Sequence, residues 1–141
     1  VSPADCARYC TAQGVDKKTA ALYSELFDGH IGTVLTAARD AARTEQVEKA
    51  MELARAAQGG DSYAAAVLLA SYEKDKAGAA ALLRDFRAVA AAGLQGSPHA
   101  PVQGQRAQRA LRLAESAIQR LTAQVNPKIV LTVFAARLGR A

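Results

Sequence analysis

The apolar side chains of residues 105–124 recur at alternating steps of four and three, the spacing of a narrow stripe on one side of a helix. The stripe consists of Ala107, Leu111, Ala114, Ile118, Leu121 and Val125. Four arginines lie on the opposite side of the same cylinder: Arg106, Arg109, Arg112 and Arg120. The pattern predicts an amphipathic helix that packs on its neighbours through the stripe.

The segment after this helix is apolar nearly all round. Asn126 followed by Pro127 is typical of an N-cap and the first helical position, so a helix is expected from there to about Leu138. Its apolar residues are Ile129, Val130, Leu131, Val133, Phe134, Ala135, Ala136 and Leu138. Such a helix must be buried on several sides, and we expect it to pack both within its own bundle and against another chain.

Helix is also the default for the rest of the chain, because alanine is the best helix former and supplies much of the apolar half. Aromatic residues make up 5% of the sequence. The fold class is therefore expected to be all-α. No apolar run approaches the roughly 18–20 residues that span a bilayer, and the start lacks the basic flank and apolar stretch of a signal peptide. These features favour a soluble, cytoplasmic protein.

Three short helices are predicted within residues 1–42, a unit too small to be stable alone. Ser2 and Pro3 begin the first helix and Gly14 ends it. Asp16 caps the second, over about 17–28, and a glycine turn leads into the third, over about 33–42. The sequence thus predicts a domain boundary after residue 42.

Residues 43–141 are expected to form a bundle of about five helices. Thr44 is the predicted cap of the first, which Gly59 and Gly60 end, and Asp61 caps the next. Residues 62–93 are expected to be helical, with a break near 75–78. Residues 93–104 form the longest loop and are predicted to be mobile. The expected buried residues of 62–93 are Val67, Leu68, Tyr72, Leu82, Phe86, Val89 and Ala90.

The sequence carries no recognisable catalytic chemistry. It has no phosphate-binding glycine loop, and neither histidine lies near a plausible nucleophile and acid. Cys6 and Cys10 are one helical turn apart and lack further metal ligands nearby, so two reduced, buried thiols are expected. We therefore expect no catalytic, cofactor-binding or metal-binding residue and no small-molecule substrate.

The positive charge is concentrated at the end of the chain. Residues 105–141 hold seven Lys or Arg against one acid, Glu115, whereas the whole chain has a net charge of +5. The Arg106, Arg109, Arg112 and Arg120 face could attract nucleic acid or an acidic partner, or be a solvated face.

Residues 6–15 and 21–35 resemble the three-helix lid of AAA+ clamp loaders. In that pattern a small-residue helix ends at glycine, a second helix ends in Leu-x-x-Gly, and a short glycine turn starts the third. ATP-hydrolysing members begin the third helix with an arginine that reaches the nucleotide phosphates. The matching position here is Gly32, which makes the chain similar to delta-prime, the loader subunit of bacterial DNA polymerase III that does not hydrolyse ATP.

Residues 125–138 resemble the Asn-x-Asn-Pro helix that closes the collar domain of many bacterial loader subunits. Val125 directly before Asn126-Pro127, and the shorter apolar residues, depart from the family pattern. The resemblance implies a lid over 1–42 and a collar over 43–141, with an ATPase-like domain preceding residue 1. Five subunits form a ring through such collars.

The resemblance implies a non-catalytic part of the loader that places the sliding clamp on primed DNA. The implied partners are the tau/gamma and delta subunits, with weak DNA contact possible and no membrane. The alternatives are a tau/gamma-type collar and a helical nucleic-acid-binding domain that uses the arginine face. The residues expected to pack within and between subunits are Leu111, Ile118, Leu121, Val130, Phe134 and Leu138.

Overall fold

The computed structural model of the protein describes residues 1–140 and confirms the all-α fold class. Within that range the chain forms eight α-helices and no strand. The helices are α1 (Pro3–Ala12), α2 (Lys17–Leu26), α3 (Ile31–Arg39), α4 (Ala41–Gly59), α5 (Ser62–Leu69), α6 (Lys76–Leu94), α7 (Gly104–Thr122) and α8 (Pro127–Leu138). A 3₁₀ turn, Ala70–Tyr72, follows α5.

The chain divides into two compact units, an N-terminal unit Val1–Glu48 and a C-terminal unit Lys49–Ala141. The division falls inside α4 and six residues beyond the boundary that the sequence predicts. Sequence reasoning placed that boundary at an expected break before Thr44. The chain instead turns at Asp40, whose Oδ1 accepts hydrogen bonds from the backbone N–H groups of Ala42 (3.0 Å) and Arg43 (3.2 Å).

The prediction that Thr44 caps α4 is wrong. Thr44 lies within the first turn of the helix, and its hydroxyl donates to the carbonyl oxygens of Ala37 (2.5 Å) and Asp40 (3.0 Å). The cap is Asp40 because an aspartate side chain can accept from the N–H groups two and three residues later, which have no partner within the helix.

In the N-terminal unit, α1, α2 and α3 contact one another. Ser2 caps α1 by accepting from the N–H of Asp5, and Asp16 caps α2 by accepting from Lys18 and Thr19. Buried side chains from all three helices meet at the centre. They are Cys6, Cys10, Ala20, Tyr23, Ser24, Val34 and Ala37.

In the C-terminal unit, α7 packs most extensively on α6, and α8 packs on both α5 and α7. The rings of Phe86 in α6 and Phe134 in α8 meet edge to face, with centroids 5.6 Å apart. Leu82, Leu83 and Val89 of α6 are fully buried in this core. Val67 is 57% exposed, so the prediction that it is buried is wrong; α5 buries Ala65 and Leu69 instead.

The loop between α6 and α7 is anchored by packing and hydrogen bonds. Ala100 and Val102 are buried, and the side-chain amide of Gln103 donates to the carbonyl oxygens of Ser97 (2.6 Å) and Ala100 (2.8 Å). At its base the carbonyl of Val102 lies against the α-carbon of Gly93, where a side chain would collide. The loop is shorter than the sequence predicts because α6 continues through Gly93 to Leu94.

Candidate functional site

Helix α7 packs on its neighbours through alanine. Its buried residues are Ala107, Ala110, Ala114, Ala117 and Leu121, again at alternating steps of three and four. The predicted members Leu111 and Ile118 are half-buried at the edge of this face, and Val125 is exposed beyond the helix end. Small side chains at the contact let two helices approach closely, so alanine occupies the centre of the contact and the larger residues flank it.

The opposite side of α7 forms one wall of a groove that collects five guanidinium groups. Arg106, Arg109 and Arg112 come from α7, and Arg137 and Arg140 come from the end of α8 and the residues after it. The groove has a volume of about 840 Å³. Its other lining residues are Gln105, Gln108 and Leu113, so the part of the lining formed by residues 1–140 contains no acidic side chain.

The convergence follows from the short connection between α7 and α8. Four residues separate Thr122 from Pro127, and helices joined by so short a loop run antiparallel. The end of α8 therefore lies beside the first turns of α7. This signal was available in the sequence and would have added Arg137 and Arg140 to the predicted arginine face. Arg120, the fourth predicted member, lies near the other end of α7 and does not line the groove.

Two of the groove arginines also hold helix ends. Arg106 donates from Nη1 to the carbonyl oxygen of Ala57, 3.1 Å away in the last turn of α4. Arg109 donates from Nη2 to the carbonyl oxygen of Arg137, 3.0 Å away in the last turn of α8. The last four carbonyls of a helix have no partner within it and carry its partial negative charge, so both contacts are favourable.

The groove retains unused capacity for donating hydrogen bonds. The Nε atom of Arg109 is buried and has no hydrogen-bond partner. Arg112, Arg137 and Arg140 are exposed, and across residues 1–140 none of the five arginines has a carboxylate within salt-bridge distance. No side chain caps the N-terminus of α7, which begins at the edge of the groove. Each feature favours a negatively charged ligand.

Four of the six predicted interface residues are buried in the core of the C-terminal unit. Leu121, Val130, Phe134 and Leu138 are each no more than 3% exposed, because α8 is covered by α5, α7 and the 3₁₀ turn. They contribute to packing within the unit and have almost no surface left for another chain. Leu111 and Ile118, which are half-buried, retain such surface.

An apolar surface that sequence reasoning missed lies on α5. Tyr63 is 78% exposed and Val67 is 57% exposed, on a helix whose only polar residue besides Tyr63 is Ser62. Tyr63 borders two shallow depressions of about 370 and 450 Å³, one between α5 and α8 and one between α5 and the part of α4 at Lys49 and Glu52. The sequence signal was an apolar pattern all round α5, as in α8.

The remaining chemistry-bearing residues do not assemble into a reactive centre. Cys6 and Cys10 are free and fully buried, and burial together with the neighbouring Cys6 thiol raises the pKa of Cys10. Among the described residues no three His, Cys, Asp or Glu side chains are grouped so as to hold a metal ion. None of the helices within residues 1–140 is both long and apolar enough to cross a membrane.

Gly32 lies at the second position of α3, directly after Ile31. It is exposed, and open space surrounds the point where a side chain would begin. The N-cap of this helix, His30, makes no side-chain capping hydrogen bond. The first residues of α3, Ile31, Gly32 and Thr33, thus include no arginine.

No protein-family model matches the sequence, and comparisons with curated proteins and with solved structures found no match.

Proposed function

We propose that the chain is a non-catalytic assembly part of a bacterial DNA polymerase III clamp loader, of the delta-prime type. In this role it helps to hold the pentameric loader that places the sliding clamp on primed DNA. Its partners are the tau/gamma and delta subunits, and its location is the cytoplasm. In this role the chain contributes to replication by helping the loader to assemble, and it catalyses no reaction itself.

The observation that carries the proposal is the order of the elements. In sequence order, a compact three-helix unit comes before a helical bundle. The pair Gly29-x-x-Gly32 spans the turn into the third helix, and the bundle ends in a helix capped by Asn126 and begun by Pro127. Asn126 accepts from the N–H of Lys128 at 2.9 Å. The lid-like and collar-like motifs thus lie in separate compact units, in the order in which they follow one another in loader subunits.

Gly32 favours the delta-prime type over the tau/gamma type. A glycine has no side chain to reach a nucleotide, and the open space around it is filled by no neighbouring residue. A tau/gamma-type subunit would need another cation at the start of α3, and the first residues of this helix, Ile31, Gly32 and Thr33, include none.

The surface that best suits subunit contact is the exposed side of α5. Interfaces of obligate assemblies have an apolar core that is enriched in aromatic residues. A single exposed apolar side chain does not indicate an interface, but a group of neighbouring ones does. Tyr63 and Val67 lie one helical turn apart and border the same depression beside Lys49 and Glu52. On α7, the half-buried Leu111 and Ile118 offer a second contact region that the sequence predicts.

Mixing the chain with the cognate tau/gamma and delta subunits tests the assembly role. We expect a stable complex by size-exclusion chromatography with light scattering. Replacing Tyr63 and Val67 together by aspartate should abolish it, since two carboxylates would be buried without partners. The control is Leu94→Asp, which places one such carboxylate at a 46% exposed leucine in α6 and should leave the complex intact. Absence of a complex with the unaltered chain would contradict the proposal.

A further inference from the structure

We propose that the groove between α7 and the end of α8 binds the phosphate backbone of nucleic acid without reading its sequence. This inference goes beyond the assembly role and does not depend on it. The groove-lining arginines are Arg106, Arg109, Arg112, Arg137 and Arg140.

Five like charges in one groove are unfavourable for the folded chain by itself. With no acid in the lining, each guanidinium faces the positive field of the others, and the uncapped start of α7 adds a further partial positive charge. Arg106 and Arg109 gain helix carbonyls as partners, but Arg112, Arg137 and Arg140 stay exposed and, among residues 1–140, without a carboxylate partner. A ligand with closely spaced negative charges would relieve this repulsion.

The lining favours phosphates over an acidic polypeptide. Protein interfaces have an apolar core, whereas Leu113 is the one apolar residue among the eight that line the groove. All five cations are arginine, whose planar fork donates two parallel hydrogen bonds to a phosphate.

The lining also indicates contact with the backbone and not with the bases. Stacking of bases needs aromatic side chains, and the groove has none. Arg106, Arg109 and Arg112 follow one another at three-residue steps, a rise of about 4.5 Å each along the helix. One row of this kind can follow about two or three consecutive phosphates of a strand, whose charges are about 3.4 Å apart along a duplex axis. Arg137 and Arg140 stand on the other wall.

Fluorescence anisotropy with labelled 20-nucleotide single strands and 20-base-pair duplexes of unrelated sequence tests the proposal. At about 50 mM salt we expect binding of at least one form, with equal affinity for unrelated sequences of that form. Affinity should fall steeply with salt, because each phosphate contact contributes a slope of about −0.9 in a plot of log affinity against log salt concentration for duplex DNA.

A charge-matched pair of variants separates the groove from general attraction. The double variant Arg112→Gln and Arg140→Gln removes two groove cations whose side chains make no hydrogen bond to any of residues 1–140. It should weaken binding about tenfold or more and reduce the salt slope by about two. The control, Arg120→Gln with Lys128→Gln, removes two exposed cations outside the groove and should change affinity less than about twofold.

Three results would overturn the proposal: no binding of either nucleic acid at low salt, equal losses in the two double variants, or equal competition by poly-glutamate. Competition by inorganic polyphosphate at concentrations similar to those of nucleic acid would support recognition of phosphate. Binding of polyphosphate without binding of nucleic acid would contradict the proposal that the ligand is nucleic acid. These assays use the chain without other loader subunits. A failure here therefore leaves the assembly proposal standing, and a failure of assembly leaves the groove proposal standing.

Discussion

Arg109 in α7 donates a hydrogen bond from Nη2 to the carbonyl oxygen of Arg137 in α8, 3.0 Å away, while its Nε is buried with no partner. One nitrogen of this side chain therefore hydrogen-bonds to the last turn of α8, whereas another nitrogen is a buried donor without an acceptor. Arg106 makes a similar contact to the carbonyl of Ala57 at 3.1 Å, and its nitrogen atoms include no buried donor without a partner.

The first prediction compares methionine substitutions at these two arginines. Arg106→Met loses one hydrogen bond, for which we expect a loss of about 0.5–1.5 kcal/mol in the free energy of unfolding. Arg109→Met also loses one hydrogen bond. The same substitution removes a buried N–H donor without a partner, whose desolvation destabilises the folded chain by about 1–3 kcal/mol, and this gain offsets the loss. We therefore expect the Arg109 variant to be the more stable of the two in urea denaturation at the same salt concentration. An Arg109 variant clearly less stable than the Arg106 variant would contradict the assignment.

The second prediction concerns Phe134, which the sequence predicts to pack within and between subunits and which the structure places in the core of the C-terminal unit. Phe134 is 3% exposed and its ring meets that of Phe86 edge to face. Phe134→Ala should lower the free energy of unfolding by about 3–5 kcal/mol, by removing buried area and leaving a cavity. Ile129→Ala, at a 58% exposed position of the same helix, is the control and should change it by less than about 0.5 kcal/mol. Chemical denaturation of both variants measures the difference; similar effects would show that α8 is not packed as described.

The sequence was sufficient to locate most of the helices because their ends carry strong local signals. Ser2, Asp16, Asp61 and Asn126 each cap a helix through the side chain, as expected from their type and position. Such caps depend on residues two or three positions away, so they can be read without tertiary structure. The start of α4 was misplaced because Asp40 and Thr44 are both good caps, and only the chain direction after α3 decides between them.

The buried face of α7 was harder to predict because two sets of residues satisfy the same spacing. Leu111 with Ile118 and Ala110 with Ala117 both extend the stripe through Ala107 and Ala114. Size alone favours leucine and isoleucine, but the close approach of α6 selects alanine. The groove was predicted in part, since three of its five arginines lie on α7. The other two are about 30 positions further along the sequence, and they come close to α7 only because α8 folds back along it.

The third prediction concerns Gly93, where α6 meets the loop before α7. A Cβ atom at this position would collide with the carbonyl group of Val102, which belongs to the backbone and cannot rotate away. Gly93→Ala should therefore destabilise the chain, by about 1–3 kcal/mol as for other overpacked sites, although alanine is the better helix former.

Gly59 in α4 provides the matched control, because nothing lies within 4 Å of the position that its Cβ would occupy. Gly59→Ala should be neutral or stabilising by up to about 1 kcal/mol. Thermal denaturation of both variants, followed by circular dichroism, decides the matter. If Gly93→Ala melts at or above the temperature of the unaltered chain, the close contact does not exist.

The fourth prediction concerns Ser24 in α2, whose side chain is fully buried and whose hydroxyl has no hydrogen-bond partner. Burying a hydroxyl without a partner costs about 1–3 kcal/mol, and alanine is also the better helix former. Ser24→Ala should therefore raise the free energy of unfolding by about 1 kcal/mol. Ser116→Ala, at a half-buried serine in α7, should gain only the smaller helix-propensity difference. Urea denaturation compares them, and a loss of stability in Ser24→Ala would reveal a partner for its hydroxyl.

The fifth prediction is a dependence of stability on pH that arises from Cys10. Burial raises the pKa of its thiol above the ordinary value of 9.0; the neighbouring Cys6 adds to the rise, and Arg39 opposes it in part. The folded chain therefore holds this proton at pH values where the unfolded chain has released it. The stabilisation from the neutral thiol is complete below the pKa of the unfolded chain and is lost as the pH rises through the pKa of the folded one.

Cys10→Ala isolates this effect from the other groups that titrate in alkali. The free energy of unfolding of the unaltered chain should fall more steeply than that of Cys10→Ala above about pH 9, by at most about 1.4 kcal/mol for each pH unit between the two pKa values. Below pH 7.5 the difference between the two chains should be constant, because the thiol is then protonated in both states. Urea denaturation at intervals from pH 7 to pH 10.5 provides both curves. Curves that stay parallel over the whole range would mean that the Cys10 thiol is as accessible to water in the folded chain as in the unfolded one, against its burial between α1 and its neighbours.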